Sequence, residues 1–392
     1  MAEARDRHRQ AGRAFPMTPK RWLILGSHIP PEGGLGGMIR YTVEVARSLQ
    51  KRDDVEVHVH CRPDAEPFLR HGLGIAPSGL HPTATGSTIR DSGAELFTLG
   101  RLSRGLDADV VFGSKQLVPR FTGRAVRLLT VHDMLPFDRP GDFGPKKRLL
   151  LPPAYRQSIR AADVIACVSR AARDRLLAYM PEVGARAVVV SNAMTSSLAT
   201  ATPEPIASLR GRPFALMVGD RSRRKNAGFI IELWSRVQAL APGAHLVLVG
   251  PPGWGRNENP PELRSLLASG AVSDLGHVPD GALRWAYENA DVTLCPSLLE
   301  GFGLPVIEAL AMGCPTVIST DPAQVEAAAG AATVIDVADR DGWIAAIADH
   351  LTTKRLRQAR GMDRAWDEVA DELIAAVGTV GIGRPRSRPR VG

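Results

Sequence analysis

Aromatic side chains are scarce in this sequence, at 5% of 392 residues. That is too little material for the base-stacking platforms of single-strand nucleic-acid binders. Cysteine is scarcer still. The four residues Cys61, Cys167, Cys295 and Cys314 include no C-x-x-C pair and have no histidine at zinc-finger spacing, which excludes a disulfide scaffold and a structural zinc module. They read as reduced core thiols of a cytoplasmic protein. No apolar run approaches the ~20 residues of a membrane span. The opening MAEARDRHRQ is charged and has no apolar stretch behind it, so it is not a signal peptide. Residues 1–20 read as a disordered basic lead, with Met17 an alternative start. Residues 378–392, rich in Gly, Pro and Arg, read as a disordered tail.

Hydrophobic residues make up 44% and charged residues 23% of the chain, the profile of a globular protein. The length exceeds what one core accommodates and suits two domains. The net charge of +8 is unevenly spread: residues 21–200 carry +7 and residues 201–383 carry −6. A basic first half suits an acidic acceptor or peripheral association with an anionic membrane; it also suits ordinary solvated surface. The acidic second half and the few aromatics exclude nucleic acid as a partner.

The apolar run Trp22–Ser27 is followed by glycines and reads as a buried first strand. Met38–Leu49 has helical spacing. Val55–His60, Asp109–Phe112, Arg127–Val131 and Val164–Val168 are further strands, and Arg170–Tyr179 is a helix. After the polar, Pro-rich stretch 201–212, taken as a linker, the pattern restarts with a strand at Phe214–Val218, a helix at Asn226–Leu240 and alternating elements as far as Thr316–Ile318. The expected fold is α/β, with two Rossmann-like domains over 21–200 and 213–360 and a ligand cleft between them. A final helix over 361–377 is expected to cross back onto the first domain.

Four stretches carry chemistry. In Glu300-Gly-Phe-Gly-Leu-Pro-Val-Ile-Glu308, small residues permit close approach of a ligand to the backbone. Gly303 and Leu304 open a helix whose N-terminus suits a diphosphate. In Gly219-Asp-Arg221-Ser-Arg223-Arg224-Lys225-Asn226, a strand-to-helix turn gathers three arginines and a lysine, a natural phosphate site. Gly33-Gly34-Leu35-Gly36-Gly37 is a glycine loop after the first strand. It is not a strict G-x-G-x-x-G, and the second strand ends in His60-Cys61-Arg62 rather than in the acid a dinucleotide site wants. Thr130-Val131-His132-Asp133 ends a strand, where side chains face the cleft. Each stretch also has a plain structural reading, as a tight turn, a helix-start acid, a structural histidine or a solvated basic loop.

Together these stretches resemble the retaining glycosyltransferases of family 4, which have the GT-B architecture. The Glu-(seven residues)-Glu string, the Val-Gly-(four residues)-Arg-Lys-Asn turn and the His-Asp step all have counterparts here. Val168-Ser169-Arg170, Val190-Ser191-Asn192, Leu275-Gly276-His277-Val278 and Trp366 match smaller family features. The sequence departs from the pattern at Arg221, Arg223 and Ser191, where the family has an uncharged residue or proline. The resemblance implies that Glu300 faces the donor sugar and Glu308 the ribose. Lys225, Arg224, Arg221, Gly303 and Leu304 would hold the diphosphate. His277 and Val278 would lie at the base, Gly34, Gly36 and Gly37 under the phosphates and acceptor, and His132 near the anomeric carbon.

The expected activity is transfer of a hexosyl group, with GDP-mannose the first choice of nucleotide-sugar donor, to a glycan or lipid-linked acceptor. No cofactor and no metal are expected, because Asp107-Ala108-Asp109, though spaced like a metal-binding D-x-D motif, lies far from the phosphate turn. A nucleotide-sugar epimerase on the same fold and a catalytically inactive sugar- or membrane-binding module are the rival readings.

Overall fold

The computed structural model describes residues 19–32, 36–251, 260–353, 357–361 and 364–380. Of the lead expected over 1–20 and the tail expected over 378–392, residues 1–18 and 381–392 lie outside the described residues, as does Gly34; Lys20 instead opens the first strand and Gly378 ends the last helix. The chain forms two parallel sheets, each flanked by helices. The first holds β1 (Lys20–Leu25), β2 (Val55–His60), β3 (Leu80–His81), β4 (Val110–Gly113), β5 (Val126–Val131), β6 (Val164–Cys167) and β7 (Ala187–Val189). Their spatial order is β3-β2-β1-β4-β5-β6-β7. The second holds β8 (Phe214–Val218), β9 (His245–Val249), β10 (Val272–Gly276), β11 (Val292–Cys295), β12 (Thr316–Ile318) and β13 (Thr333–Val334). Their order is β10-β9-β8-β11-β12-β13.

Each sheet therefore reverses direction once, between β1 and β4 and between β8 and β11. A crevice opens at the carboxyl ends of the strands at such a switch point. The central strands are short continuous apolar runs because helices cover both faces. Leu23, Ile24 and Leu25 of β1 and Leu246 and Val247 of β9 are all fully buried.

Two large apolar cores result. The first is built on β1, β2, β5 and β6 and takes in Trp366, Val369, Ala370 and Leu373 of the last helix, Trp366–Gly378. Trp366 is the anchor: its indole N–H donates to the Met194 carbonyl at 2.7 Å, and its ring meets Tyr41 edge-on at 5.7 Å. On the second sheet, packing begins ahead of the expected linker, with Met194 and Leu198. Elements that the sequence pattern did not reveal include the helices Glu66–Leu73, Thr88–Phe97 and Pro322–Ala328.

Candidate functional site

The carboxyl ends of β8 and β11 bring the basic turn and the glutamate loop together. Leu298 N–H donates to the Arg224 carbonyl at 2.7 Å, and the Asn226 side-chain amide donates to the Pro296 carbonyl at 3.2 Å. These two bonds zip residues 224–226 against 296–298. Glu300 then lies between two cations, with Lys225 Nζ at 2.6 Å from Oε1 and Arg224 Nη1 at 3.0 Å from Oε2. Glu300 is only 6% exposed. Burial works against its charge, but Lys225 and Arg224 outweigh burial and bring its carboxyl down to about 2, as neighbouring opposite charges do. A carboxylate that acidic is a poor proton acceptor and a durable negative charge.

The helix Leu304–Ala311 starts immediately after this loop. Gly303 sits at its N-cap with φ 100°, a left-handed conformation that side chains rarely adopt. Glu308, on the same helix, is 2% exposed. It accepts from Thr195 Oγ1 at 3.2 Å and Tyr287 Oη at 3.0 Å. Arg40 Nη1 lies 3.5 Å away, and the same guanidinium stands 3.7 Å from Asp280.

The first sheet supplies the opposite wall. A Cβ built on Gly37, at the end of the glycine loop, would stand 3.5 Å from Leu304 Cδ1, so that loop meets the start of the 304–311 helix. Gly36 is the N-cap of helix Gly37–Gln50, with φ 112°. His132 follows β5. Its Nε2 lies 2.7 Å from the Ser114 carbonyl. A carbonyl only accepts, so Nε2 carries the proton. Burial lowers the imidazole pKa, which leaves a neutral ring with the Nδ1 lone pair available. Tyr41 packs edge-on against this ring at 4.9 Å. The two walls touch at Gly301, where a Cβ would stand 1.8 Å from the His132 carbonyl oxygen. No side chain fits at that point.

Other expected site residues fall outside this cluster. Arg221 turns away to Asp274, at 2.8 Å, and with Arg139, Arg223 and Arg340 lines a cavity of about 550 Å³ that borders the seam at Asn226 and Leu298. His277 is exposed and Val278 half-buried beyond β10. The D-x-D pair is engaged elsewhere: Asp107 with Arg124, and Asp109 with the Arg21 backbone N–H.

Known proteins divide the chain in the same way. The family model for Glycosyltransferase Family 4 matches residues 35–197, and that for Glycosyl transferases group 1 matches residues 201–363. The O-antigen chain mannosyltransferase B of Escherichia coli is 27% identical over 282 residues, covering 68% of this chain and 73% of its own length. The O-antigen chain mannosyltransferase RfbU of Salmonella typhimurium is 25% identical over 327 residues, covering 79% and 86%. Among solved structures, Anabaena Alr3699/HepE in complex with UDP and glucose superposes with a TM-score of 0.65 at 15% identity, covering 92% of this chain and 98% of that one. WaaG, a glycosyltransferase involved in lipopolysaccharide biosynthesis, superposes at 0.63 and 16%, covering 93% and 100%. At such identities these two establish the fold alone.

The chain is a GT-B glycosyltransferase.

Several polar residues of the transferase's cleft carried no signal in the sequence, and Ser169, noted there only as part of the Val-Ser-Arg match, had no role assigned. Arg40, Thr195 and Tyr287 surround Glu308. Ser169 Oγ caps helix Arg170–Tyr179 and donates to the Gly301 carbonyl at 2.6 Å. Arg175 donates to the Glu300 carbonyl at 2.5 Å. Among 49 basic residues, nothing in local spacing distinguishes Arg40 or Arg175; only the folded juxtaposition does.

Proposed function

We propose that the transferase is a retaining hexosyltransferase that works without a metal, taking a mannosyl group from GDP-mannose to a glycan or lipid-linked acceptor. The observation that carries this reading is the Glu300–Lys225–Arg224 cluster at the mouth of the 304–311 helix. A departing nucleoside diphosphate gains negative charge. Lys225, Arg224 and the helix N-terminus at Gly303 and Leu304 offer fixed positive charge where that charge grows. Glu300, kept ionised by the same cations, is suited to accept hydrogen bonds from sugar hydroxyls and to face the cationic anomeric carbon. Glu308 serves the ribose, with His277 and Val278 nearer the base.

Because Glu300 is so weak a base, it does not take the acceptor proton. The acceptor oxygen bonds to the anomeric carbon on the face the diphosphate leaves. The carbon–oxygen bond to the diphosphate breaks, and the acceptor proton passes to the departing phosphate oxygen. Attack and departure on one face keep the anomeric configuration. Neutral His132 stays beside the sugar as a hydrogen-bond acceptor. Closure of the two walls excludes water.

The two O-antigen mannosyltransferases support mannose as the sugar and a glycan as the acceptor. The exposed run Lys146-Lys147-Arg148-Leu149-Leu150 on helix Pro145–Ala161 supports a peripheral, cytoplasmic-face hold on anionic lipid. Among the described residues no helix is long and apolar enough to cross a membrane.

The test is a thermal-shift screen across GDP-, UDP- and dTDP-sugars, since a ligand that binds only the native state raises the melting point. NMR of the product anomer formed from the best donor follows. A shift with GDP-mannose and a product of unchanged configuration support the proposal. An inverted product, or a donor sugar that changes configuration without an acceptor, as an epimerase would produce, refutes it.

A further inference from the structure

The loop carrying Glu300 is held at its backbone by the other half of the molecule. Three groups from the first sheet's side converge on two residues. Ser169 Oγ bonds the Gly301 carbonyl at 2.6 Å, Arg175 Nη1 bonds the Glu300 carbonyl at 2.5 Å, and the His132 carbonyl lies against Gly301. Arg175 also pairs through its other amino group with Asp321. Asp321 has a side chain only 1% exposed and caps helix Pro322–Ala328 through the Ala323 and Gln324 N–H groups. From that helix Glu326 reaches back across the cleft and accepts from the Arg170 and Ala171 N–H groups at 3.0 and 2.9 Å. A carboxylate at the free N–H groups of helix Arg170–Tyr179 is favoured by the helix dipole. The two helices thus clasp each other, each with an acid from the second half, and Arg175 stands between the clasp and the Glu300 loop.

We propose that Arg175 is a positioning residue that ties closure of the two halves to the placement of Glu300. Its planar fork serves two acceptors at once, a main-chain carbonyl and a buried carboxylate, a geometry that a lysine ammonium does not reproduce. When the halves part, all these bonds to Glu300 and Gly301 break together, and the loop keeps its contacts within the second half, to the basic turn and to Ser319. Lys225, Arg224 and the 304–311 helix belong wholly to the second half, so nucleotide binding does not need Arg175, whereas correct alignment of the sugar does. The inference rests on the reading of Glu300 as the carboxylate facing the donor sugar.

The experiment compares Arg175→Met, Arg175→Lys and Arg173→Met in the full chain. Arg173 lies on the same helix but bonds the Ala187 carbonyl of its own half, so it controls for general damage to that helix. Two readouts are taken: steady-state transfer with donor and acceptor varied, and hydrogen–deuterium exchange of the peptide spanning 296–303. Misplacement of a reacting group by about 1 Å costs up to about 100-fold, so Arg175→Met is expected to lower kcat roughly 10- to 100-fold, with the dissociation constant of the nucleoside diphosphate nearly unchanged. Exchange over 296–303 should accelerate, Arg175→Lys should recover part of kcat, and Arg173→Met should match the wild type in both readouts. Unchanged kcat and exchange in Arg175→Met overturn the proposal, as does an equal loss in Arg173→Met. If the wild type transfers no sugar, the functional reading fails by itself. The exchange readout then still decides whether Arg175 holds the loop.

Discussion

Removing the Glu300 charge should make the protein a better nucleotide binder and a worse enzyme. Lys225 and Arg224 are paired with Glu300, at 2.6 and 3.0 Å. A diphosphate arriving at the same cations must share them with a carboxylate held ionised with a pKa of about 2. For charges about 6 Å apart at an effective dielectric near 20, the repulsion is roughly 3 kcal/mol, and screening at the cleft mouth brings it to about 1–2 kcal/mol. Glu300→Gln preserves shape and removes this term, so the dissociation constant for GDP should tighten by about 5- to 30-fold. Lys225→Met removes an attractive term of similar size and should weaken GDP binding by a comparable factor. With the proposed roles, turnover should fall at least about 100-fold in both, by loss of the charge assigned to the sugar in one and of leaving-group stabilisation in the other. Isothermal titration with GDP and a transfer assay measure the two quantities separately. Weaker GDP binding in Glu300→Gln, by as much as in Lys225→Met, would refute the electrostatic argument, because Glu300 would then not compete with phosphate for the same cations.

Three further outcomes follow from the geometry. Gly301→Ala places a methyl group 1.8 Å from the His132 carbonyl. It should hold the walls apart and abolish turnover, while the isolated second-half contacts keep GDP affinity; retained activity would show that the walls need not meet. Trp366→Ala empties a buried site that also supports Tyr41 and, through it, His132; loss of a core Trp costs roughly 3–5 kcal/mol, read by urea denaturation. Acid should destabilise the fold before it protonates Glu300. Burial lowers the pKa of His28, His60, His81, His132 and His245. The native state therefore binds fewer protons than the unfolded chain below the ordinary histidine value, and stability falls as pH drops through that value toward the native ones. His60 alone, at about 4 when folded, contributes about 2 kcal/mol of loss between pH 8 and pH 5. Glu300 titrates lower, so its stabilisation persists at pH 5. A melting temperature that is flat from pH 8 to pH 5 would contradict the buried, neutral histidines.

What could be read from the chain and what could not divides along a physical line. The strand Phe214–Val218 announces itself because burial on both faces demands an unbroken apolar run, and Val55–His60 by the alternation of its side chains. The basic turn and the glutamate loop announce themselves because tight turns and helix starts restrict residue choice locally. The segment 62–108 stayed opaque because its helices are short and their packing partners distant, so periodicity is weak. Arg221 shows the limit of composition as evidence. It sits in the same turn as Lys225, yet its guanidinium points to Asp274 on the other side. Arg40, Arg175, Ser169 and Glu326 act across the cleft, and no window of sequence contains both partners of such a contact.

The two buried glutamates are treated differently by the fold, and the difference has a consequence for the order of events. Glu300 is balanced wholly within the second half, by cations one turn away on the β8 side. Glu308 borrows part of its balance from Arg40, on helix Gly37–Gln50 of the first half, through a contact of 3.5 Å that is longer than the pairs around Glu300. Opening the cleft leaves the first pair intact and strips Arg40 from the second. On the proposed reading, opening leaves Glu308 with the Tyr287 hydroxyl of its own half, and ribose hydroxyls take the place of the guanidinium. Closure then returns Arg40 to the cleft beside Asp280 and the occupied Glu308. A nucleotide is therefore expected to enter the open form at its ribose end first, and Arg40→Gln should speed nucleotide association in stopped-flow measurements while shortening its residence. An unchanged association rate in Arg40→Gln would mean that Arg40 does not guard Glu308.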